Sequence, residues 1–286
     1  MTTMDLTHVH RIAAFSEGDT GGNPAGVWVA DSLPGAAQMQ SIADAVGYSE
    51  TAFAAPEGDR WRVRYFAPEC EVDFCGHATI ALGAVLTERT GPGTHHLRSN
   101  AGEISVTGRL DDTGRVQIEL SSPPTRSGPA DAGLLEHALV LFGFGKSDLD
   151  PALPAAITHA GNDHLVLALR ERARLSDMDY DLDAGRRLME RHGLTTINLI
   201  WAATAQRFHS RNAFAVGGVA EDPATGAAAA ALGGYLRDTG WPHAGSIIIS
   251  QGVDMGIPSK LNVVIPDQPG TPVRVSGSTR TIAQDE

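Results

Sequence analysis

The chain has 286 residues, of which 42% are hydrophobic and 20% are charged, and its formal net charge is −12. This composition is typical of a globular protein with one large core or two smaller domains. The acidic balance argues against a nucleic-acid or anionic-membrane surface, so we expect neither partner. No apolar run approaches the ~20 residues of a membrane span, and no secretory signal precedes Ser16, so we expect a cytoplasmic protein.

The cysteines and lysines give little indication of a zinc knuckle or of pyridoxal chemistry. The two cysteines, Cys70 and Cys75, have a C-x4-C spacing that matches no zinc knuckle, and no second pair completes four ligands. We expect no disulfide between them in a reducing compartment. Only two lysines, Lys146 and Lys260, are available as Schiff-base candidates. We therefore expect no metal site.

The first half of the chain alternates predicted strands and helices. Period-two alternation predicts the strands, and apolar residues at helical spacing predict the helices. In chain order we predict strands at His8–Phe15 and Ala25–Ala30, a helix at Leu33–Val46, strands at Tyr48–Ala54 and Trp61–Phe66, a helix at Gly76–Arg89, and strands at Glu103–Thr107 and Val116–Leu120. We interpret the pair His95-His96 as part of an exposed loop.

The second half repeats this order after a stretch rich in Pro, Ser and Gly, Ser121–Pro129, which we interpret as a linker. We predict a helix at Leu134–Leu141, a strand at His164–Leu169, a helix at Asp179–His192, strands at Ile197–Thr204 and Arg207–Arg211, a helix at Thr225–Asp238, and strands at Ser246–Gln251 and Leu261–Ile265. We place the domains at residues 1–124 and 125–286, and allow the last strands to cross back to the first domain.

One short sequence pattern, a glycine followed by a helix of small residues, occurs twice. Aligning Leu82-Gly83 with Leu232-Gly233 sets Gly76 opposite Gly226, each at the start of a helix of small residues. Both helices are apolar nearly all round, as expected for a helix surrounded by a curled sheet. The alanines at 227–231 are also good helix formers, which is an alternative explanation for the second helix. The free N–H groups and positive end of each helix suit a small anion such as a carboxylate.

Polar residues near these helix starts are candidates for chemistry. His77 can exchange a proton with a substrate, or else cap its own helix. Asp222 suits either the site or an N-cap or turn. Thr225 and Gly226 offer hydroxyl and N–H donors to an anion.

Glu50 is the only charge in its predicted strand. A carboxyl in apolar surroundings has a raised pKa and can carry a proton near neutral pH, whereas the alternative is a strand glutamate facing water.

Five motifs, in order, resemble the PhzF (phenazine biosynthesis-like) family. They are Gly22-Asn23-Pro24-Ala25-Gly26-Val27, Ser49-Glu50-Thr51-Ala52-Phe53, Cys75-Gly76-His77-Ala78-Thr79, Glu221-Asp222-Pro223-Ala224-Thr225-Gly226, and Gln251-Gly252 with Met255-Gly256 and Pro258-Ser259. The resemblance implies the diaminopimelate-epimerase fold. This is an α+β fold of two pseudo-symmetric domains, each a curled, mostly antiparallel, barrel-like sheet around a central helix, with the active site between them. It also implies a homodimer.

The resemblance implies a cofactor-independent isomerase that moves a proton on a small carboxylate-bearing substrate. The founding enzyme of the family isomerises trans-2,3-dihydro-3-hydroxyanthranilate, and Glu50 matches its catalytic glutamate. His77 and Asp222 match the family's polar partners in the site, so we predict these three residues as catalytic. The predicted substrate-binding residues are Asn23, Gly76, Thr225, Gly226 and Ala227.

Two positions depart from the family pattern. Ala227 stands where the family usually has a serine, and Ile257 stands in place of a usual arginine. The resemblance therefore implies the reaction type more firmly than the substrate. One alternative is a catalytically inactive metabolite-binding protein on the same fold. The other is an amino-acid epimerase or racemase, which is disfavoured because those relatives use a cysteine in each half, whereas Cys70 and Cys75 both lie in the first half.

Overall fold

A computed structural model of the chain describes residues 6–283. The chain divides into two compact units. Unit 1 extends to Ser121 and resumes at Ser276, and unit 2 is Ser122–Val275. Within the described residues, no helix is both long enough and apolar enough to cross a membrane.

Strands outnumber helices in both parts of the described chain. The first part forms β1 (His10–Ser16), β2 (Asn23–Val29), α1 (Ala36–Val46), β3 (Thr51–Glu57), β4 (Arg60–Phe66), β5 (Glu71–Val72), α2 (Gly76–Thr90), β6 (Gly93–Arg98), β7 (Glu103–Leu110) and β8 (Val116–Pro124). The remainder forms β9 (Arg126–Pro129), α3 (Ala132–Phe142), β10 (Ala156–His159), β11 (Asp163–Ala168), α4 (Arg172–Ser176), α5 (Leu182–His192), β12 (Thr196–Thr204), β13 (Arg207–Ala213), β14 (Glu221–Asp222), α6 (Gly226–Asp238), β15 (Ser246–Gln251), β16 (Ser259–Val264) and β17 (Pro272–Thr281).

In unit 1 a mostly antiparallel sheet surrounds helix α2. Every residue of this helix from His77 to Thr87 is buried, and the helix contacts β1, β2, β3, β6 and β7. A Cβ atom at Gly83 would lie 2.8 Å from Ile118 Cγ2 and 3.2 Å from Val106 Cγ2. The strands therefore approach more closely than an alanine at this position would allow.

Helix α6 has the same role in unit 2. Its residues from Ala228 to Arg237 are buried, and it contacts β9, β10, β11, β15 and β16. A Cβ atom at Gly233 would lie 2.9 Å from Val263 Cγ1 and 3.1 Å from Val273 Cγ1. Each unit thus has the predicted architecture, a curled sheet around a central helix of small residues.

The strand pairings of the two units repeat as well. In unit 1, β2–β3 and β4–β6 are parallel, whereas β3–β4, β4–β5 and β6–β7 are antiparallel. In unit 2, β11–β12 and β13–β15 are parallel, whereas β12–β13, β13–β14 and β15–β16 are antiparallel. The repeat that the sequence predicts therefore extends from the helices to the topology of both sheets.

The register of these pairings identifies the counterpart of Glu50. The paired residues that fix the correspondence are Tyr65 with Ala52 and Val72 in unit 1, and Asn212 with Asn198 and Asp222 in unit 2. Two positions before Ala52 lies Glu50, and two positions before Asn198 lies Thr196. A hydroxyl therefore stands in unit 2 where unit 1 has a carboxyl.

Two local predictions were wrong. The predicted linker Ser121–Pro129 contains the end of β8 and all of β9, which pairs with β10. Proline fixes φ near values that an edge or terminal strand position tolerates, so a Pro-rich stretch can be extended rather than flexible. The predicted loop at His95-His96 belongs to β6, and His95 is buried with Nε2 3.4 Å from Thr87 Oγ1.

Candidate active site

The start of α2 and the segment before β3 bring three reactive groups together in unit 1. Nε2 of His77 lies 3.4 Å from Oε2 of Glu50, and Nδ1 of His77 lies 3.3 Å from Sγ of Cys75. The hydroxyl of Ser49 also lies 3.3 Å from Nε2. One imidazole thus connects a thiol on one side with a carboxyl group on the other.

The position of Glu50 differs from the prediction. It lies one residue before β3 rather than inside a strand, and its carbonyl accepts a hydrogen bond of 3.1 Å from the N–H of Gly26. This bond fixes the backbone at the edge of β2. The Glu50 side chain is 17% exposed and that of His77 is 8% exposed. Glu50 therefore does not face water freely, and it interacts with His77 in surroundings that screen charges less than bulk solvent does.

The ring of His77 has three side-chain neighbours, which are Glu50, Ser49 and Cys75. Cys75, the N-cap residue of α2, makes no side-chain capping bond. The first N–H groups of a helix lack intrahelical partners. A Cβ atom at Gly76 would meet no heavy atom within 4 Å, so the space beside this helix start is open.

A second polar cluster surrounds the start of α6 in unit 2. The hydroxyl of Thr225 donates to Oδ2 of Asp222. Nε2 of buried Gln251 donates to the carbonyl of Asp222 at 2.7 Å and to Oγ1 of Thr225 at 3.2 Å, and its Oε1 accepts from the N–H of Thr225 at 3.2 Å. Gly252 has φ +71°, and a Cβ atom there would lie 2.9 Å from the carbonyl oxygen of Pro223. Gln251 therefore fixes the segment that leads into α6, and the turn after it requires glycine.

The structure thus joins Glu50 with His77, and Asp222 with Thr225. Asp222 ends β14 and is not the N-cap of α6, because that position belongs to Thr225. Gly226 is the first residue of α6, with half-buried Ala227 after it. The remaining predicted residue, Asn23, is buried at the first position of β2.

The counterpart of Glu50 in unit 2 belongs to a buried hydrogen-bond network. Oγ1 of Thr196 donates to Oδ1 of Asn212 at 2.8 Å and lies 2.8 Å from Nδ1 of His164. Because the Thr196 hydroxyl donates to Asn212, Nδ1 of His164 must donate to Thr196. Burial lowers the pKa of His164 to about 4, so the ring is neutral at neutral pH. This position offers no carboxylate base.

Three residues of these clusters were not predicted as site residues. Cys75 was considered for a zinc knuckle, a disulfide and the cysteine pair of a racemase, none of which concerns a contact with a histidine two residues later. Ser49 and Gln251 appear in the sequence only inside the motifs. Their polar side chains beside Glu50 and before Gly252 are the signals that could have identified them.

Comparison with known proteins identifies related chains. Residues 12–284 match the family model PhzC-PhzF, described as phenazine biosynthesis-like protein. The chain is 32% identical to an "uncharacterized isomerase" of Deinococcus radiodurans over 92% of its length and 88% of the relative. It is 31% identical to the trans-2,3-dihydro-3-hydroxyanthranilate isomerase of Pseudomonas fluorescens over 87% of its length and 86% of that enzyme.

Solved structures show the same fold. A PhzF-family phenazine biosynthesis protein of Bacillus anthracis superposes with a TM-score of 0.85 at 23% identity and 96% coverage of both chains. A hydroxyproline epimerase of Agrobacterium vitis superposes with a TM-score of 0.61 at 11% identity, covering 96% of this chain and 89% of the epimerase. The predicted epimerase-like fold is therefore confirmed.

Proposed function

Because this chain belongs to the phenazine biosynthesis-like PhzC-PhzF family and is an isomerase, we propose that Glu50 moves a proton on a small carboxylate-bearing substrate, without a cofactor. The observation that supports this proposal is the contact of 3.4 Å between Glu50 and His77 at the uncapped start of α2. A carboxyl group and an imidazole within hydrogen-bond reach of one another are a common pair for acid–base catalysis.

In the proposed reaction, the carboxylate of Glu50 takes a proton from a carbon that is conjugated with the substrate's carboxylate. The electron pair of the broken C–H bond moves into the conjugated system. Protonated Glu50, whose O–H exchanges with solvent, then delivers a proton to a different carbon. The N–H groups at the start of α2, near Gly76 and His77, stabilise the negative charge that develops. We assign to Thr225 and Gly226 the binding of the carboxylate, and to His77 and Asp222 the orientation of the substrate.

The difference between the two units supports a single base. Thr196, which stands in the position of Glu50, is 1% exposed and is engaged by His164 and Asn212. A hydroxyl held in this way is a poor proton acceptor. A shuttle that takes and returns the proton on one face needs one base, whereas a racemase needs acids on opposite faces. The asymmetry therefore favours isomerisation over racemisation.

We propose a narrower substrate class than small carboxylic acids in general. Family membership does not identify the individual compound. The Pseudomonas fluorescens relative is named for trans-2,3-dihydro-3-hydroxyanthranilate, and we propose an unsaturated carboxylic acid of related chemistry. Ala227 and Ile257 remove polar contacts that the family usually has, so we do not propose that compound itself. We also propose a biosynthetic role and a homodimer, as the family resemblance implies, and the cytoplasmic location that the sequence analysis predicts.

Deuterium exchange tests this function directly. A panel of small carboxylates, including trans-2,3-dihydro-3-hydroxyanthranilate and free amino acids, is first screened for ligands that raise the melting temperature. Each stabilising ligand is then incubated with the protein in D2O. We expect at least one to be isomerised with deuterium gained at carbon. Stabilising ligands without any exchange would instead indicate the metabolite-binding alternative, and exchange at an inverted α-carbon would indicate the racemase.

A further inference from the structure

The cluster around His77 contains the three donor types that bind zinc. One oxygen of Glu50, Sγ of Cys75 and one ring nitrogen of His77 all lie within 4.8 Å of one another. In tetrahedral zinc sites the metal–ligand distances of about 2.0–2.3 Å separate neighbouring ligand atoms by roughly 3.3–3.6 Å. The distance of 3.4 Å from Glu50 to Nε2 of His77 and that of 3.3 Å from Cys75 to Nδ1 are each of this length, and they are measured to different nitrogens of the ring.

The backbone already holds these donors in place. Cys75 and His77 flank the first residue of buried helix α2, and the backbone of Glu50 is held to β2 through Gly26. Because the two short contacts use different nitrogens of His77, binding of one ion requires these side chains to rotate so that one nitrogen faces both partners. Three protein ligands leave a fourth position for water, which is the usual arrangement of an accessible zinc site. The thiolate favours Zn²⁺ over Mg²⁺ or Ca²⁺, which prefer oxygen ligands.

We propose that Glu50, Cys75 and His77 form a binding site for a thiophilic divalent cation such as Zn²⁺, and that its occupation stops proton transfer. On binding, the thiol of Cys75 releases its proton to solvent, and the thiolate and the Glu50 carboxylate balance the two charges of the ion. The inhibitory part rests on the proposed function, because the ion occupies the carboxylate that we assign as the base. The binding part is independent of it.

Metal titration of the purified full chain, after treatment with a chelator, tests the site. We expect one Zn²⁺ to bind per chain, and Co²⁺ in its place to show a thiolate-to-cobalt charge-transfer band in the near ultraviolet. Cys75→Ser should abolish that band and weaken Zn²⁺ binding by more than about 100-fold, since even changes outside the ligand set cost 10–100-fold in affinity. Cys70→Ser, which alters the exposed cysteine outside the cluster, is the matched control and should bind like wild type.

Two further measurements keep the outcomes distinct. Unfolding curves must show that Cys75→Ser retains the fold. Glu50→Gln should also weaken Zn²⁺ binding, but its cobalt complex should keep the charge-transfer band because Cys75 is still present. Absence of Zn²⁺ binding by wild type, or a band that persists in Cys75→Ser, would overturn the proposal. If Zn²⁺ binds but no carboxylate exchanges in the metal-free protein, the proposed function fails alone. If exchange proceeds equally with and without bound Zn²⁺, the inhibitory assignment fails.

Discussion

Glu50 and Thr196 occupy equivalent positions in the two units, but their surroundings differ. Glu50 is 17% exposed and faces a histidine, whereas Thr196 is 1% exposed and lies between His164 and Asn212. Nε2 of His164 has no hydrogen-bond partner among the described residues. A buried ring with one unsatisfied nitrogen is costly to protonate because the charged form would be desolvated. Unit 2 has therefore kept the geometry of the repeat without a base.

The buried ring predicts a pH dependence of stability. The pKa of folded His164 is about 4, against an ordinary value of 6.5. Between pH 6.5 and about 4, His164 is therefore protonated in the unfolded chain and neutral in the folded chain. This contribution to stability is present above pH 6.5 and is lost as the pH falls towards 4, and it amounts to about 3 kcal/mol. In denaturant titrations His164→Gln should lose less stability than wild type over this interval.

The control for this measurement is His137→Gln, which alters an exposed histidine of α3. It should follow the wild-type pH profile. The comparison concerns the change of the unfolding free energy with pH rather than its absolute value, because His164→Gln also alters the bond to Thr196. Parallel loss of stability in wild type and His164→Gln would contradict the assignment.

Among the elements, α2 and α6 position both candidate clusters. Each is buried over most of its length and begins at a glycine without a side-chain cap. Small residues are needed where strands cross the helix closely, as at Gly83 and Gly233. The same packing that fixes each helix therefore fixes the direction of its first N–H groups.

Alanine at these two glycines tests the close packing. Overpacking costs about 1–3 kcal/mol, whereas the helix propensity of alanine returns up to about 1 kcal/mol. We expect Gly83→Ala and Gly233→Ala each to lower the unfolding free energy by about 1–2 kcal/mol, measured by urea denaturation. Gly128→Ala in β9 is the control, since its Cβ would meet no heavy atom within 4 Å, and it should be neutral or stabilising. Equal effects at all three positions would argue against tight packing around α2 and α6.

The sequence predicts these helices well and the short strands poorly. A helix that is apolar all round has a long, unambiguous pattern, so α2 and α6 could be located from their residues. β6 was missed because polar residues dominate it, and buried His95 contacts Thr87 of α2, which is distant in the local pattern. β9 was hidden by its Pro and Ser content. Both cases depend on tertiary neighbours that a local pattern does not contain.

At the scale of the whole molecule, the chain passes between the units twice. β8 begins in unit 1 and ends in unit 2, and β17 begins in unit 2 and ends in unit 1. Within unit 1 the end of β17 pairs with β1, as Ile12 with Thr281. The sequence predicted two halves with a similar order of strands and helices. They could not predict this pairing in detail, because the two strands lie at opposite ends of the sequence.

The candidate site, like the fold, was predictable from the sequence only in part. The motifs predicted which residues lie at the helix starts, since local sequence determines where α2 and α6 begin. The contact of Cys75 with His77 and the bonds of Gln251 around Asp222 depend on side-chain geometry. The contact between Glu50 and His77 joins residues from separate segments of the chain, so local sequence does not contain it. The role of Glu50 as base is the central proposal.

The most direct test of this proposal compares Glu50→Gln with Glu57→Gln during turnover in D2O. Glu57 ends β3 and is paired with Arg98, so its substitution changes a glutamate of the same unit outside the site. We expect Glu50→Gln to lower the rate of deuterium incorporation by at least about 100-fold, the usual contribution of a general base, with the unfolding transition retained. Glu57→Gln should exchange at the wild-type rate. Exchange at the wild-type rate by folded Glu50→Gln would show that another group moves the proton.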